Sequence, residues 1–240
     1  MSRKIRVSVV IPTLQEEEYI RKTLSCLIRF APEIEIIVVD GGSTDNTVKT
    51  AMLFADKVFQ IGERGISKAR NYGAKCAKGE LLIFLDADVI VPQGFLEKVL
   101  ENFENPNVVG ATCRYMPADP KSLEFIYFFL FNLLTRFSIA ALPRTRFKYG
   151  SRGEFMVARR SAFFRIGGFN EKIACLEDYD LTFRLSKCGR FVFIEDLTVY
   201  ESMRRARKLG LFNFMKMEAT ELLAWLFQGT PKSKVWRVVR

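Results

Sequence analysis

Ile5 to Ile11 is a mostly apolar, β-branched run that stops at Pro12. Its length and composition predict a buried strand. Glu16 to Phe30 follows with Tyr19, Ile20, Thr23, Leu24, Leu27 and Ile28 at helical spacing. Glu16, Glu17 and Glu18 fall in its first turn, where the helix dipole favours anions. Ile34 to Val39 predicts a second buried strand, closed by the turn Asp40-Gly41-Gly42, with Ser43 or Thr44 as the N-cap of another helix. Lys57 to Ile61 reads as a short third strand and Ile66 to Ala77 as a helix stopped by Gly79. Leu81 to Leu85 reads as a fourth strand ending at Asp86-Ala87-Asp88, and Pro92 opens a further helix.

Strands separated by helices predict parallel pairing through right-handed crossovers. The expected fold class is α/β: a Rossmann-like, open and mostly parallel sheet with helices on both faces. Ligands of such sheets bind beyond the carboxyl ends of the strands. Pro12, Thr13, Asp40 and the Asp86/Asp88 pair all fall there. The second half is less regular. Ser122 to Leu142 is strongly apolar and aromatic, and Gly150 to Gly168 mixes a short strand with a basic helix start. Glu177 to Lys187 predicts a helix with Glu177, Asp178 and Asp180 in its first turn. Phe191 to Ile194 predicts a strand, Met203 to Lys208 is basic, and the remainder is an aromatic, helical tail.

Composition narrows the chemistry. The 240 residues are 49% hydrophobic, enough for a full core, and 37 Lys+Arg against 27 Asp+Glu leave a net charge of +10. That charge suits nucleic acid, anionic lipid or a phosphorylated substrate alike. Histidine is absent, which excludes it as base or metal ligand. The five cysteines are odd in number and form no CxxC pair, so free thiols in a reducing compartment are expected. MSRKIRVSVVIPT lacks the length and cleavage site of a signal peptide, and a cytoplasmic location is expected, peripheral on the membrane's cytoplasmic face if the apolar segments bind lipid.

Asp86 and Asp88 are two apart after an extended strand, so their side chains point the same way. Two such carboxylates can share one divalent cation, and hard oxygen ligands favour Mg2+ or Mn2+. On a helical projection of 121–142, Lys121, Glu124, Asn132, Thr135, Arg136 and Ser138 gather on one side, with Phe128 and Phe131 intruding among them. The charges argue against a membrane span. The wide apolar side reads as an interfacial helix, and a helix packed on the sheet fits the same pattern.

VSVVIPTLQEEEYI (7–20), VVDGGSTDNT (38–47), SKARNYGA (67–74), GELLIFLDADVIVP (79–92), GGFNE (167–171) and EDYDLTFRLSKCG (177–189) occur in that order. Together they resemble the GT-A fold glycosyltransferases of family 2, over roughly residues 5 to 190. The resemblance implies an inverting transfer from a nucleotide diphosphate sugar. By position it implies Pro12, Thr13 and Glu16 along the base and ribose, Asp40 on the base, and Arg70 toward the donor phosphates. It further implies Asp86 on ribose or metal, Ala87 between the two acids, Asp88 on the metal, and Asp178 as catalytic base. Glu177, Arg204 and Arg205 are expected at the acceptor or the diphosphate. A metal offsets the leaving group's charge, and a carboxylate takes the acceptor's proton; acidic Glu177 and Asp180 are expected to raise the pKa of Asp178.

Gln15 stands where the family often has Asn, and Gly41 where many members have a second Asp, which leaves uracil and guanine both open. The Gln/Arg-x-x-Arg-Trp pattern of processive members is missing, so a single sugar is expected to be transferred, to a hydroxyl or phosphate. The apolar stretches suggest a lipid-linked acceptor such as a polyprenyl phosphate or a lipid-borne glycan. The expected division is a catalytic domain over 1–205, with a donor half at 1–113 and an acceptor half at 114–205, and a tail over 206–240 that associates with membrane. A sugar nucleotidyltransferase should carry a basic Gly-rich loop where acidic PTLQEEE stands. A non-enzymatic membrane or nucleic-acid binder has no use for carboxylates at converging strand ends.

Overall fold

The computed structural model describes residues 6–62, 64–142, 145 and 151–233. Ile5, Gly150 and Trp236, at the margins of expected segments, lie outside the described residues. The first half runs β1 (Val7–Thr13), α1 (Ile20–Leu27), β2 (Ile34–Asp40), α2 (Thr47–Ala51), β3 (Lys57–Gln60), α3 (Ile66–Cys76) and β4 (Leu81–Leu85). Then come β5 (Val89–Ile90), α4 (Phe95–Asn102), β6 (Val108–Pro117), α5 (Ser122–Ala141), β7 (Phe155–Arg159) and α6 (Arg160–Arg165). The chain continues with α7 (Glu177–Ser186), β8 (Arg190–Glu201), α8 (Arg204–Leu209) and α9 (Leu211–Gln228).

One sheet has the order β3-β2-β1-β4-β7-β6-β8-β5. The first four strands are parallel, as the alternation of strand and helix requires. Successive residues explain their burial. Val7, Val9 and Ile11 of β1 pack into one apolar layer and Val10 into the other; Leu81, Ile83 and Leu85 of β4 oppose Leu82 and Phe84 in the same way. The first layer takes Ile20 and Leu24 of α1 and Phe95 and Val99 of α4. The second takes Ala69 and Ala74 of α3 and Leu181 and Leu185 of α7. Gly73 lets α3 lie close: a Cβ there would sit 2.4 Å from Cγ1 of Val10.

The second half is mixed rather than parallel. β7 runs antiparallel to both β4 and β6, β8 is parallel to β6, and β5 closes the edge antiparallel to β8. The pairing Leu85↔Phe155 brings the start of β7 beside the end of β4. Several expected boundaries shift, among them the start of α4, which falls at Phe95 and not at Pro92. α1 begins at Ile20 because the N–H groups of Glu16 and Glu17 are drawn to Oγ1 of Thr47 and Oδ2 of Asp45. α2 begins at Thr47, since Ser43 turns back to Asp40 instead of capping a helix.

α5 is turned against the usual amphipathic rule. Its polar Glu124, Asn132, Thr135 and Ser138 are buried against the protein, together with Phe128. Asn132 accepts from N of Tyr115 at 2.9 Å and donates to its O at 2.8 Å, tying the helix to β6. Phe129 and Phe137, by contrast, are 61% and 59% exposed.

Candidate active site

The turn after β4 is held from both sides. Thr23 donates to O of Ala87 at 2.7 Å, and N of Asp86 donates to O of Glu154 at 3.1 Å. Asp86 and Asp88 thereby face a cavity of about 830 Å3. Pro12, Thr13, Glu16, Arg70, Ala87, Glu177, Asp178, Arg204 and Arg205 share its wall, so eleven of the twelve expected site residues meet in one place.

Asp40 is the exception. It is fully buried behind the wall, and Gly41 takes its place on the surface of the cavity. Its Oδ1 accepts from the hydroxyls of Thr13 and Ser43, and its Oδ2 accepts from N of Gly42 and Ser43. With four donors already satisfied, it shapes the loop that borders the cavity.

Arg70 is fully buried and organises carboxylates. Nη1 donates to Glu177 at 2.7 Å; Nη2 donates to Asp86 and to O of Gly153, each at 2.8 Å. Its guanidinium lies 5.3 Å above the ring of Phe169. Arg204 spans the mouth: Nη2 is 2.7 Å from Glu16 and Nε 3.2 Å from Asp88, and the group stacks on Tyr19. The basic segment is thus the helix α8, already in contact with the strand-end acids.

Among the cavity residues that escaped the sequence reading are Arg152, Glu154 and Glu201. Arg152 is 2.7 Å from Glu154 and 3.2 Å from Glu201. Glu201 reaches the cavity because Val89↔Glu201 pairs the end of β8 with the residue after Asp88. Its Oε2 and that of Glu16 are buried without a hydrogen-bond partner among the described residues. Acceptors left open in this way suit hydroxyl donors from a ligand.

Negative charge is under-compensated here. Ten carboxylates line the cavity against six Lys and Arg side chains. Burial pushes Asp88 up to about 7, Arg204 opposing and Asp86 and Glu16 adding. Burial likewise lifts Asp86 to about 6 against the pull of Arg70. A divalent cation would supply the missing positive charge. Among the described residues no three His, Cys, Asp or Glu side chains converge as a metal cage. Two carboxylates fit Mg2+ or Mn2+ shared with a substrate's phosphates, the usual arrangement for these ions. Asp178 is also raised, by burial first and then by Glu177 and Glu154. Asp180 is turned away into a pair with Arg184, whose Nε donates to it at 2.8 Å.

An α/β sheet that is parallel in its first half, with acids after its fourth strand facing a carboxylate-led helix across a cavity, defines the GT-A glycosyltransferase class. The model of the family described as glycosyl transferase family 2 matches residues 8–167, and the chain belongs to that family. A glycosyltransferase of Rickettsia felis, named as uncharacterized, is 28% identical over 219 residues, covering 86% of this chain and 36% of the relative. Validoxylamine A glucosyltransferase of Streptomyces hygroscopicus subsp. limoneus is 37% identical over 128 residues, 48% of this chain and 28% of that enzyme. The chain therefore spans about a third of the length of these relatives. The mannosyltransferase PcManGT of Pyrobaculum calidifontis, solved with GDP-Man and Mn2+, shares the fold with a TM-score of 0.75. It is 22% identical, over 95% of this chain and 64% of its own.

Proposed function

We propose that the protein transfers a single sugar from a nucleotide diphosphate sugar to an acceptor hydroxyl or phosphate, with inversion. The reading rests on one observation: Asp86 and Asp88 meet the first turn of α7 around a single cavity. Pro12, Thr13 and Glu16 border its donor end, and the donor carries uracil or guanine. Asp86 and Asp88 would hold Mg2+ or Mn2+, and the ion would offset the charge of the departing diphosphate. The ligands of the Pyrobaculum mannosyltransferase support such a donor and metal. The acceptor oxygen attacks the anomeric carbon as the bond to the diphosphate oxygen breaks, and its proton passes to the carboxylate of Asp178. Arg70 keeps Asp86 and Glu177 in register for that approach. The acceptor is carried on a lipid.

Calorimetry with UDP and GDP tests the donor site. One of them should bind in Mn2+, and both a chelator and Asp88→Ala should weaken it about tenfold or more, at least 1.4 kcal/mol. Equal affinity in all three conditions removes the metal from the reading.

A further inference from the structure

We propose that the outward side of α5 is a docking surface for an anionic lipid bilayer, on which the helix lies in the plane of the interface. The inference deepens the lipid-borne acceptor of the proposed reaction and rests on that reading for its purpose, though its geometry is independent. Leu123, Phe125, Phe129, Leu133, Leu134 and Phe137 all stand outward with about half or more of their surface exposed. A helix that turns its polar residues to the protein and its large apolar residues away from it loses hydrophobic stabilisation in water. Hydrocarbon at the outer side restores it.

The surroundings select the occupant. Leu123–Ala141 is long and apolar enough to cross a membrane, yet a third of it is buried in the protein. Asn132 is bonded to Tyr115, and Glu124 accepts from Arg207 of α8 at 2.7 Å. Leaving the protein to span a bilayer would break those bonds, so the helix lies along the surface. A second copy of the chain carries the same net charge of +10 and would be repelled by it. Charge favours anionic headgroups. Exposed Lys121 precedes the helix, and Lys208 and Lys216 are exposed on the neighbouring α8 and α9 of a chain with net charge +10. Phe212, at the start of α9, is 79% exposed. Tyr127 of α5 meets Phe214, a cavity-lining residue of α9, so a bilayer on this side lies next to the site.

Flotation on sucrose gradients tests the surface, using phosphatidylcholine vesicles with and without phosphatidylglycerol. The whole chain should float with the anionic vesicles and less with the neutral ones. Phe129→Ser with Phe137→Ser should cut the partition coefficient about tenfold or more. Lys208→Gln with Lys216→Gln should lower it about fivefold per residue and only on anionic vesicles. Melting curves establish that each variant is folded. Sedimentation velocity without lipid should show a monomer. Retention in the soluble fraction with every lipid overturns the proposal, as does a dimer that the Phe variants dissociate. UDP and GDP calorimetry runs alongside: loss of nucleotide binding with flotation intact would sink the transferase reading and leave the docking surface standing.

Discussion

Three acids occupy the first turn of α7, and each has a different neighbour. Glu177 is committed to Arg70 and Asp180 to Arg184. Among the described residues no cation is bonded to Asp178, whose Oδ1 accepts only from N of Tyr179. That difference is why the proposed reaction gives the acceptor's proton to Asp178. Asp178→Asn is expected to lower turnover by about 10²–10⁴-fold while leaving nucleotide binding within about twofold. Turnover near that of the parent would move the role to Glu177 or Asp180. Neighbouring identity along the chain suggested that Asp180 would help raise Asp178; Glu154, distant in sequence, does so instead. The same distance hid Arg152, Glu154 and Glu201. Glu201 ends β8 and Arg152 and Glu154 lead into β7, strands whose direction and partners are set by pairing in the second half of the sheet, and a local pattern carries neither.

At the level of elements, apolar runs bounded by Pro, Gly or Asp marked β1, β2 and β4, because both faces of these strands are buried. β6 went unread: Thr112 and Arg114 interrupt its apolar pattern, and its burial comes from α5 and the neighbouring strands. The projection of α5 separated its two sides, including the intrusion of Phe128, but which side met the protein depended on Tyr115 and Arg207, far away in sequence. Spacing between elements is also testable. Gly73→Ala adds about 1 kcal/mol of helix propensity to α3. The new methyl would meet Val10 at 2.4 Å and Val39 at 3.2 Å, inside a filled layer of stiff β-branched side chains. Overpacking costs about 1–3 kcal/mol, so urea denaturation should show a net loss. A stabilised variant would mean that α3 can ride outward freely.

Across the whole molecule, the two edges of the parallel strands divide the labour. The carboxyl edge gathers under-compensated acids, and the opposite edge is tied down. There Glu35 accepts from Ser8 at 2.6 Å and from N of Lys78 at 2.9 Å, and pairs with Lys57 at 2.8 Å. Burial alone would push its pKa up, but Lys57, Ser8 and Lys78 together hold it below the ordinary range. A depressed carboxyl pKa contributes stability that is present above the unfolded value, about 4.3, and is lost as pH falls through the folded value. Glu35→Gln is therefore expected to cost about 1–3 kcal/mol at pH 7, with the gap from the parent closing below about pH 4. An equal gap at both pH values would show that the charge is not what matters. The antiparallel insertion of β7 beside β4 has a further meaning when the chain is made. β4 is complete at Leu85, and its partner begins only at Phe155. At about 5–20 residues per second, a ribosome leaves that central strand edge open for on the order of ten seconds. An unpaired apolar edge invites strand addition from other nascent chains. The cavity wall, in turn, is incomplete until Phe214, Met217, Glu218 and Glu221 of α9 have left the exit tunnel.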